Sequence, residues 1–514
     1  MIRPVCLLAA SILIQGAKAQ SWEREDVDFA KLRDRAIELA KQPYQAVDKA
    51  RLPDWIRNLT YDQYRDIRFN PQQALWANEK LPFTAMFFHP GYLYQEPVKL
   101  TEFTASHQQE IRLSDAYFNY GPSIREHGAL PSSGGFAGFR IHHPLNSPDY
   151  HDELIVFQGA SYWRALGKSQ RYGLSSRGIA VDTGVPDTAE EFPSFREFFL
   201  HKPEAGDSYV RFYGLLDGPS YTGAYSFRVH PGDDTRVDVR AFLCARKQVK
   251  RLGIAPMSSM YWFGENSRRR FDDFRPEVHD SDGLSIRMGD GQRIWRPLTN
   301  DSGKVELSFF AMNQCAGFGL LQRDRNFNHY EDVEAAYHLR PSLWIEPITD
   351  WGPGRVMLLE IPTGNELADN IVAMWEPTVA MMPGENREFR YRQHWMTDPD
   401  PAQSKGIVVA SRSGVHDWEP NRRTVLVEFA GAGLEDPALK PEAVVDVLGD
   451  GAARLTISNI NVQRLADGRW RASFQIAPAA ADGKLEQIGP VELRCCLKSG
   501  EDYLTESWAC RIQP

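Results

Sequence analysis

The chain has 514 residues, of which 42% are hydrophobic and 25% are charged, and its formal net charge is −9. This length exceeds what one hydrophobic core usually supports, so we expect two domains, with room for a third. An acidic chain without a strongly basic run lacks the electrostatic footprint of nucleic-acid binding, so we expect no nucleic-acid partner.

The first residues have the pattern of an export signal. Arg3 is basic, the stretch 5–14 is mostly apolar, and an Ala-x-Ala cleavage pattern stands at 17–19. The apolar stretch is too short to cross a bilayer, and no later segment has eighteen uninterrupted apolar residues. We therefore predict a signal peptide over residues 1–19 and a mature protein that is soluble outside the cytoplasm.

The elements that follow are mainly strands. Apolar residues recur at three- and four-residue spacing over 29–39, which predicts an amphipathic helix, and a second short helical segment is predicted over 61–67. Alternating or apolar runs separated by Gly, Pro, Asp and Asn then predict strands and turns. The predicted strands include 81–88, 153–158, 209–216, 222–229 and 237–243. This recurrence predicts a large β-sandwich over residues 20–397 rather than a βαβ architecture.

The C-terminal part has a β pattern of its own. Two prolines and two aspartates within 397–401 predict a linker over residues 398–404. Beyond it, 424–429 alternates, and an Asp-Gly turn joins 457–462 to 470–476 as a hairpin. The size and pattern of residues 405–514 predict a small immunoglobulin-like β-sandwich.

Several classes of functional site lack their sequence signatures. No G-x-S-x-G elbow, P-loop or dinucleotide-binding glycine motif is present. No CxxC suggests structural zinc, and the calcium-loop-like start at Asp280 and Asp282 lacks the later ligands. We therefore expect no metal and no cofactor. An exported protein can form disulfides, so Cys495 or Cys496 can pair with Cys510 across a C-terminal hairpin.

Carboxylates in turn-like sequence are the strongest chemical signal. Glycosidic bond hydrolysis uses one acid to protonate the leaving oxygen and one carboxylate to activate water or attack the sugar. The candidates are Asp280 and Asp282 in RPEVHDSDG, and Glu366 and Asp369 in IPTGNELADN. Aspartates in turns also bond their own backbones, so ordinary solvated turn residues are the competing explanation.

Aromatic and cationic residues precede the second carboxylate group. Tyr337, Arg340 and Trp344 form a cluster of the type that binds sugars, and we predict that they contact substrate, with a place in the hydrophobic core as the competing explanation for Trp344. Arg323, Arg325 and Arg340 stand in apolar or aromatic surroundings, where buried salt bridges and substrate contacts are equally good explanations.

Long motifs allow comparison with known families. They are FQGASYWRA (157–165), YGLSSRGIA (172–180), FGENSRRRFDDFRPEVHDSDGL (263–284), WRPL (295–298), GFGLLQRDRNF (317–327), YHLRPSLWIEP (337–347) and EIPTGNELADNIVAMW (360–375). They closely resemble the osmoregulated periplasmic glucan biosynthesis proteins G and D, and the likeness covers essentially the whole mature chain. The single arginine of the signal is more similar to the G branch.

The resemblance implies a fold and an activity. The implied fold is a large β-sandwich of the galactose-mutarotase type followed by a small immunoglobulin-like domain, and the implied location is the periplasm. Members of the family are glycoside hydrolases that cut β-1,2-glucan internally with inversion, and some related members transglycosylate. The implied role is in the biosynthesis of osmoregulated periplasmic glucans.

The resemblance also implies residue roles. The general acid of the family matches Asp369, and its base region matches Asp280-Ser281-Asp282, where either aspartate can be the base. Tyr337 and Arg340 match substrate-contacting positions, and Glu366 is a supporting carboxylate. An acid that works near neutral pH needs a raised pKa, so we expect Asp369 to be partly desolvated against aromatic residues such as Trp344 or Trp375.

Three functions therefore compete. The leading hypothesis is a periplasmic glycoside hydrolase of β-1,2-glucan, with a transglycosylase on the same glucan as its close variant. The second is a non-catalytic protein that holds a nascent glucan for a membrane glucan synthase. The third is a mutarotase-like sandwich that binds sugars without a role in polymer synthesis. The sequence assigns neither chain-length preference nor oligomeric state.

Overall fold

The computed structural model describes residues 27–512 except 105–106, 132–133, 268–270, 301–302, 398–403, 417, 450–452 and 481. The predicted signal peptide and nearly all of the predicted linker lie outside the described residues. The described chain is mainly β, as predicted, and its α-helices are α1 Val27–Ala40, α2 Asp54–Arg57 and α3 Tyr61–Arg65. Within this part of the chain, no helix is long and apolar enough to cross a bilayer.

The strands are numbered in chain order. The first are β1 Ile67–Phe69, β2 Thr84–Phe88, β3 Lys99–Phe103, β4 Gln108–Ile111, β5 Phe118–Tyr120, β6 Gly138–Ser147, β7 Tyr150–Gln158, β8 Tyr162–Ala165, β9 Ser175–Arg177, β10 Ile179–Val181, β11 Ser194–His201, β12 Val210–Asp217, β13 Tyr221–His230, β14 Thr235–Ala245, β15 Leu252–Ser259, β16 Tyr261–Phe263 and β17 Val278–His279. The others are β18 Gly283–Met288, β19 Arg293–Pro297, β20 Glu306–Met312, β21 Cys315–Leu321, β22 Ser342–Pro347, β23 Gly354–Glu360, β24 Ile371–Pro377, β25 Asn386–Met396, β26 Ile407–His416, β27 Glu419–Ala430, β28 Glu442–Leu448, β29 Leu455–Arg464, β30 Trp470–Pro478, β31 Val491–Ser499, β32 Asp502–Tyr503 and β33 Ser507–Ile512.

Two large sheets face each other. The ten-stranded sheet has the order β2-β6-β7-β8-β9-β15-β24-β23-β20, with β10 paired to β15. The fifteen-stranded sheet has the order β28-β31-β33-β19-β18-β21-β22-β25-β14-β13-β12-β11-β3-β4, with β32 paired to β31. Aromatic rings from the two sheets meet between them: Phe157 of β7 lies 5.3 Å from Phe212 of β12, and Trp163 of β8 lies 5.4 Å from Phe227 of β13. This architecture is a β-sandwich.

Alternation along β14 shows why these residues form a strand of the sandwich. Val237, Val239 and Leu243 are buried in the main core, because successive side chains of a strand point to opposite faces. On the other face, the guanidinium of Arg240 lies 4.6 Å from the ring of Phe29 in α1. Helix α1 therefore covers the outer face of the fifteen-stranded sheet. The three- and four-residue spacing of its apolar residues is that of a helix with one buried face.

The C-terminal strands join the large sandwich. Strand β19 pairs in parallel with β33, with Trp295 opposite Trp508, so β33, β31 and β28 continue the fifteen-stranded sheet. Strands β26, β27, β30 and β29 form a separate four-stranded sheet, which contains the predicted hairpin as β29 and β30. A second core holds Trp295 and Trp344 together with residues such as Phe474. The two regions therefore share apolar packing, while the division at 398–404 stays a prediction.

The predicted C-terminal disulfide is not formed. All five described cysteines are buried thiols. In the register of β31 and β33, Cys510 stands opposite Leu493, and Cys495 stands opposite Trp508. Cys510 Sγ instead accepts a hydrogen bond from Arg296 Nη1 at 3.9 Å. The prediction was wrong because the register of β31 and β33 does not place Cys495 opposite Cys510.

A buried ion pair connects the two regions. Arg323 Nη1 lies 2.5 Å from Glu506 Oε1, and Arg323 Nη2 lies 3.1 Å from Glu506 Oε2. Arg323 also donates to the carbonyl of Val408 at 2.9 Å, and its guanidinium stacks 3.6 Å from the ring of Trp295. Both ion-pair partners are buried. Of the two explanations for Arg323, the structure supports the salt bridge.

We expect Glu506→Ala to destabilise the protein by about 3–5 kcal/mol, because it leaves the buried Arg323 charge without its partner. Urea denaturation measures the change. The control is Asp446→Ala, which removes the half-exposed Arg494–Asp446 ion pair and should cost less than about 1 kcal/mol. Equal losses of stability in the two variants would contradict the larger contribution of the buried ion pair.

Candidate active site

Segments that are distant in sequence meet around Asp369. They are strand β8, the residues that follow β17, the turn at 337–340, and the loop 361–370 between β23 and β24. We call the residues that they contribute the Asp369 cluster: Tyr162, Arg164, Asp280, Tyr337, Arg340, Glu366 and Asp369. Ion pairs, a hydrogen bond, a ring contact and the electrostatic interactions of Asp369 with Tyr162 and Asp280 place all of the predicted site residues except Asp282 and Trp344 in one connected group.

Asp280 is the buried carboxylate of the cluster. It is 4% exposed, and its Oδ1 accepts a hydrogen bond from Arg340 Nη1. Burial raises the pKa of Asp280, and the positive charges of Arg340 and Arg164 oppose that rise. The negative charge of Asp369 also raises the pKa of Asp280, so the two carboxylates are near enough to interact electrostatically. Asp280 therefore bonds one arginine and interacts electrostatically with a second arginine and a second acid.

Arg340 is fixed on several sides. Its Nε donates to the carbonyl of Ala335 at 3.1 Å, and its guanidinium stacks 4.3 Å from the ring centroid of Tyr337. Gly173 packs directly against it: a Cβ added there would lie 2.9 Å from Arg340 Cβ, closer than such atoms approach in proteins. Glycine is therefore required at 173 for Arg340 to keep its place beside Asp280.

Asp369 is the exposed carboxylate of the cluster. Its side chain is 39% exposed, and its Oδ2 lies 3.9 Å from Nη2 of Arg164, which is 44% exposed. The prediction named Trp344 and Trp375 as aromatic residues against which Asp369 is partly desolvated, but both rings belong to hydrophobic cores. Trp375 is fully buried in the main core, and Trp344 is 1% exposed in the second core. Trp344 is therefore a packing residue, away from the surface that a substrate can reach.

The backbone next to Asp369 is held by Asn370, which is 2% exposed. Asn370 Nδ2 donates to the carbonyls of Tyr261 at 3.0 Å and Ile361 at 2.9 Å. Its Oδ1 accepts from the N–H of Tyr261 at 2.8 Å. The buried amide of Asn370 thus anchors the loop to β16, while the carboxylate of Asp369 faces solvent.

Glu366 is held by a cation and a phenol. Tyr337 is 2% exposed, and its hydroxyl donates to Glu366 Oε2. Arg275 Nη1 donates to Glu366 Oε2 at 2.8 Å and to Asp332 Oδ2 at 2.9 Å. Burial raises the pKa of Tyr337, so its hydroxyl stays protonated and donates. These contacts connect three loops and fix the ring of Tyr337 under Arg340.

Asp282 lies on the other side of the same segment. Its Oδ2 accepts from the backbone N–H groups of Arg323 and Asp324, the latter at 2.7 Å. Its Oδ1 lies 3.3 Å from Nδ1 of His279. Burial raises the pKa of Asp282 to about 6, and the charge of His279 opposes the rise. Asp282 lines a cavity of about 30 Å³ with residues of β26, including Ser411. It therefore serves the junction with the C-terminal strands.

This junction is rich in titratable groups. Burial lowers the pKa of His279, but the hydrogen bond to Glu277 and the charges of Asp282 and Glu277 outweigh burial and raise it to about 9. Glu277, Asp324 and His329 each offer a ligand atom within 4.8 Å of the others. Among the described residues, this is a group that can hold a metal ion, although all three members already take part in hydrogen bonds within the protein.

Glu265 connects this junction to β26 through a hydrogen bond and an ion pair. Its Oε1 accepts the N–H of Ser411 at 2.7 Å, and its Oε2 lies 2.8 Å from Nη2 of Arg412. Burial raises the pKa of Glu265 to about 7, and the charge of Arg412 opposes that rise. Its loop continues to Arg275, so the same loop contacts both the C-terminal strands and Glu366 of the Asp369 cluster.

Sequence reasoning missed Arg164, Arg275 and Asn370. Each stands inside a quoted motif: Arg164 in FQGASYWRA, Arg275 in FRPEVHDSDGL, and Asn370 in LADN. Motif membership was thus the available signal, but spacing along the chain does not tell which carboxylate an arginine will meet. Arg325, another open case, donates to the carbonyls of His338 and Thr397 at 3.2 Å, which is a structural role.

Comparison with known proteins gives matches over nearly the whole chain. The family model described as "Periplasmic glucan biosynthesis protein, MdoG" matches residues 27–512. "Glucans biosynthesis protein G" of Ralstonia nicotianae (strain ATCC BAA-1114 / GMI1000) is 44% identical over 490 residues, covering 93% of this chain and 95% of that protein. The protein of the same name from Bradyrhizobium diazoefficiens is 41% identical over 512 residues, covering 99% and 98%. That from Vibrio cholerae (strain O395) is 40% identical over 480 residues, covering 93% and 85%.

The raised pKa of Glu265 predicts a pH dependence of stability. The folded state binds this proton more tightly than the unfolded state, so the contribution of Glu265 to stability is present below about pH 4.5 and is lost as the pH rises through about 7. We expect Glu265→Gln to reduce the loss of stability between pH 5 and pH 8. Urea denaturation at the two pH values measures this, with the exposed Glu442→Gln as control. If the stability of Glu265→Gln still falls by the same amount between pH 5 and pH 8, Glu265 is not the group that causes the pH dependence.

Proposed function

The chain belongs to the periplasmic glucan biosynthesis protein family, and from this membership we propose that it is a periplasmic glycoside hydrolase that cuts β-1,2-glucan during the synthesis of osmoregulated periplasmic glucans. The names of its relatives refer to glucan biosynthesis and to the G branch. Those names specify neither a hydrolytic activity nor a β-1,2 linkage. Both are part of this proposal and depend on the resemblance of the motifs and on the chemistry of the Asp369 cluster.

One observation carries the proposal: an exposed aspartate and a buried aspartate interact across a single arginine. Arg164 ion-pairs with Asp369 at 3.9 Å, and its charge also opposes the rise that burial causes in the pKa of Asp280. Glycosidic bond hydrolysis needs two carboxyl groups in different environments, because one must donate a proton and the other must accept one. Asp369 and Asp280 provide that asymmetry.

The resemblance of the motifs gives Asp369 the role of the acid and the segment 280–282 that of the base. Asp369 is 39% exposed and can reach the leaving glycosidic oxygen, to which it donates its proton. A water molecule attacks the anomeric carbon from the opposite side, and its proton passes to Asp280. Because Asp280 is only 4% exposed, we propose that a hydroxyl group relays this proton. Direct inversion places the two carboxyl groups about 6.5–9.5 Å apart, and a relay permits a larger separation.

The same geometry favours Asp280 over Asp282 as the base. Both oxygens of Asp282 have partners on the side of the C-terminal strands, namely two backbone N–H groups and the ring of His279. Asp280 instead faces Asp369 and Arg340. We propose that Asp282 stabilises the segment from which Asp280 projects.

One observation favours a second function. Asp280 is buried and accepts a hydrogen bond from Arg340. Without a relay, it therefore cannot activate a water molecule. In that case the protein holds a nascent glucan for a membrane glucan synthase and does not cut it. A transglycosylase is the remaining variant: it uses the same carboxylates, and a sugar hydroxyl replaces the water.

Substitution of the two aspartates tests the proposal. We expect Asp369→Asn and Asp280→Asn each to lower the release of short oligosaccharides from linear β-1,2-glucan by about 100-fold or more, because general acid–base catalysis contributes about 10²–10⁴-fold. Product sizing measures the rate, and calorimetry with Asp369→Asn should still detect glucan binding. The matched control is Asp350→Asn, in the exposed loop between β22 and β23, which should cut at the normal rate.

Unchanged cleavage in Asp369→Asn would show that the assigned acid is wrong. Glucan that wild-type protein binds but never shortens would favour the assembly function instead.

The charge of Arg340 predicts a shift in the pH profile of cleavage. Arg340 opposes the rise in the pKa of Asp280, so Arg340→Gln should raise that pKa further. A base with a higher pKa is protonated at higher pH, so the acidic limb of the pH–rate profile should move towards neutral pH. Arg171→Gln, an exposed neighbour in the loop that carries Gly173, should leave the limb in place. An unmoved limb in Arg340→Gln would contradict Asp280 as the base.

A further inference from the structure

A second cavity opens beside Tyr162, with a volume of about 240 Å³. Its floor is apolar and belongs to the main core, with the rings of Phe157, Phe195 and Phe198. Its rim carries the rings of Tyr94, Tyr162 and Phe192. Phe192 is 51% exposed, although aromatic rings contribute most to stability when they are buried. An exposed ring on the rim of a cavity is available to a ligand.

The cavity is continuous with the Asp369 cluster through β8. Tyr162 lines the cavity, and Arg164 ion-pairs with Asp369. Residues two apart on a strand project from the same face, about 7 Å apart. A chain-like ligand that is bound at Asp369 can therefore extend along β8 and reach the cavity.

The charges around the cavity are paired. Glu96 lies 3.2 Å from Arg196 and 3.6 Å from Lys49. Arg177 lies 2.8 Å from Glu190. Of these groups, only one cation, Lys49, and one anion, Glu96, line the cavity, so its lining has no excess charge of either sign to attract an ion. A neutral ligand fits it better than a phosphate or an amine.

The remaining groups suit a sugar. The guanidinium of Arg177 lies 5.3 Å from the ring of Tyr162 and 5.0 Å from that of Phe192, so it holds the two rings in place. The side-chain amides of Gln95 and Gln158 and the hydroxyl of Ser194 also line the cavity. An aromatic ring packs against the C–H face of a pyranose, and amides and hydroxyls hydrogen-bond its hydroxyl groups.

We infer that this cavity is a glucan subsite, which binds a glucosyl unit of the same chain at a distance from the bond cut at Asp369. The inference rests on the proposed function, because that function supplies the identity of the chain. Its volume is below the ~300–1,000 Å³ of pockets for drug-sized ligands, which matches a single sugar ring better than an oligosaccharide. The protein should therefore bind chains that span both sites more tightly than shorter ones.

The test measures affinity against chain length. Asp369→Asn protein, which should bind without cutting, is titrated by calorimetry with linear β-1,2-linked gluco-oligosaccharides of increasing length. Phe192→Ala is then added to this background, with Phe192→Tyr as the conservative variant. The control is Tyr503→Ala, which removes a ring of similar exposure, 50%, in strand β32. Circular dichroism of each variant confirms folding, which the half-exposed position of Phe192 should preserve.

We expect Phe192→Ala to weaken the binding of long chains by about fivefold to tenfold, the loss of one aromatic contact. Short chains should bind unchanged, and Phe192→Tyr and Tyr503→Ala should bind every length normally. A Phe192→Ala variant that binds long chains normally, or loses the same factor at every length, would overturn the subsite and leave the role of Asp369 intact. Absence of binding at any length in the Asp369→Asn parent would instead overturn the proposed function itself.

Discussion

The ion pair between Asp280 and Arg340 is the interaction on which the rest of the site depends. A carboxylate that is 4% exposed can stay charged only beside a compensating cation, since burial of an isolated charge is very costly. Arg340 is in turn held by Gly173 and by the ring of Tyr337, and Tyr337 is held by Glu366. Loops with little regular structure thus keep a fixed arrangement, as a binding or catalytic site requires.

The segment from His279 to Asp282 has two faces with different tasks. Asp280 faces the Asp369 cluster, whereas Asp282 caps the backbone of Arg323 and Asp324. The side chain of Arg323 in turn forms an ion pair with Glu506 in the C-terminal strands. The C-terminal strands are therefore part of the support of the site. The parallel pairing of β19 with β33 and the shared second core give the same indication.

Local patterns predicted the elements well and the site only in part. The alternation over 237–243 predicted β14, because a strand with one buried face has a period of two. Trp344 failed as a site residue because its burial depends on which strands pack beside β22, and they come from the far end of the chain. Asp369 was expected to lie partly desolvated against aromatic residues such as Trp344 or Trp375, but those two rings lie in hydrophobic cores, and the amide of Asn370 anchors the backbone beside a carboxylate that is 39% exposed. Such outcomes depend on tertiary contacts between segments that are far apart in the chain, and the spacing of residues in the sequence does not show which segments meet.

We propose that the carboxylates of the Asp369 cluster cut glucan, and incubation of the wild-type protein with linear β-1,2-glucan tests this claim most directly. Product sizing should show shorter oligosaccharides from internal cleavage. Proton NMR early in the reaction should show new reducing ends in the α configuration, because water attacks a β-linked sugar with inversion. Glucan of undiminished length after prolonged incubation, with binding still measurable, would contradict the claim.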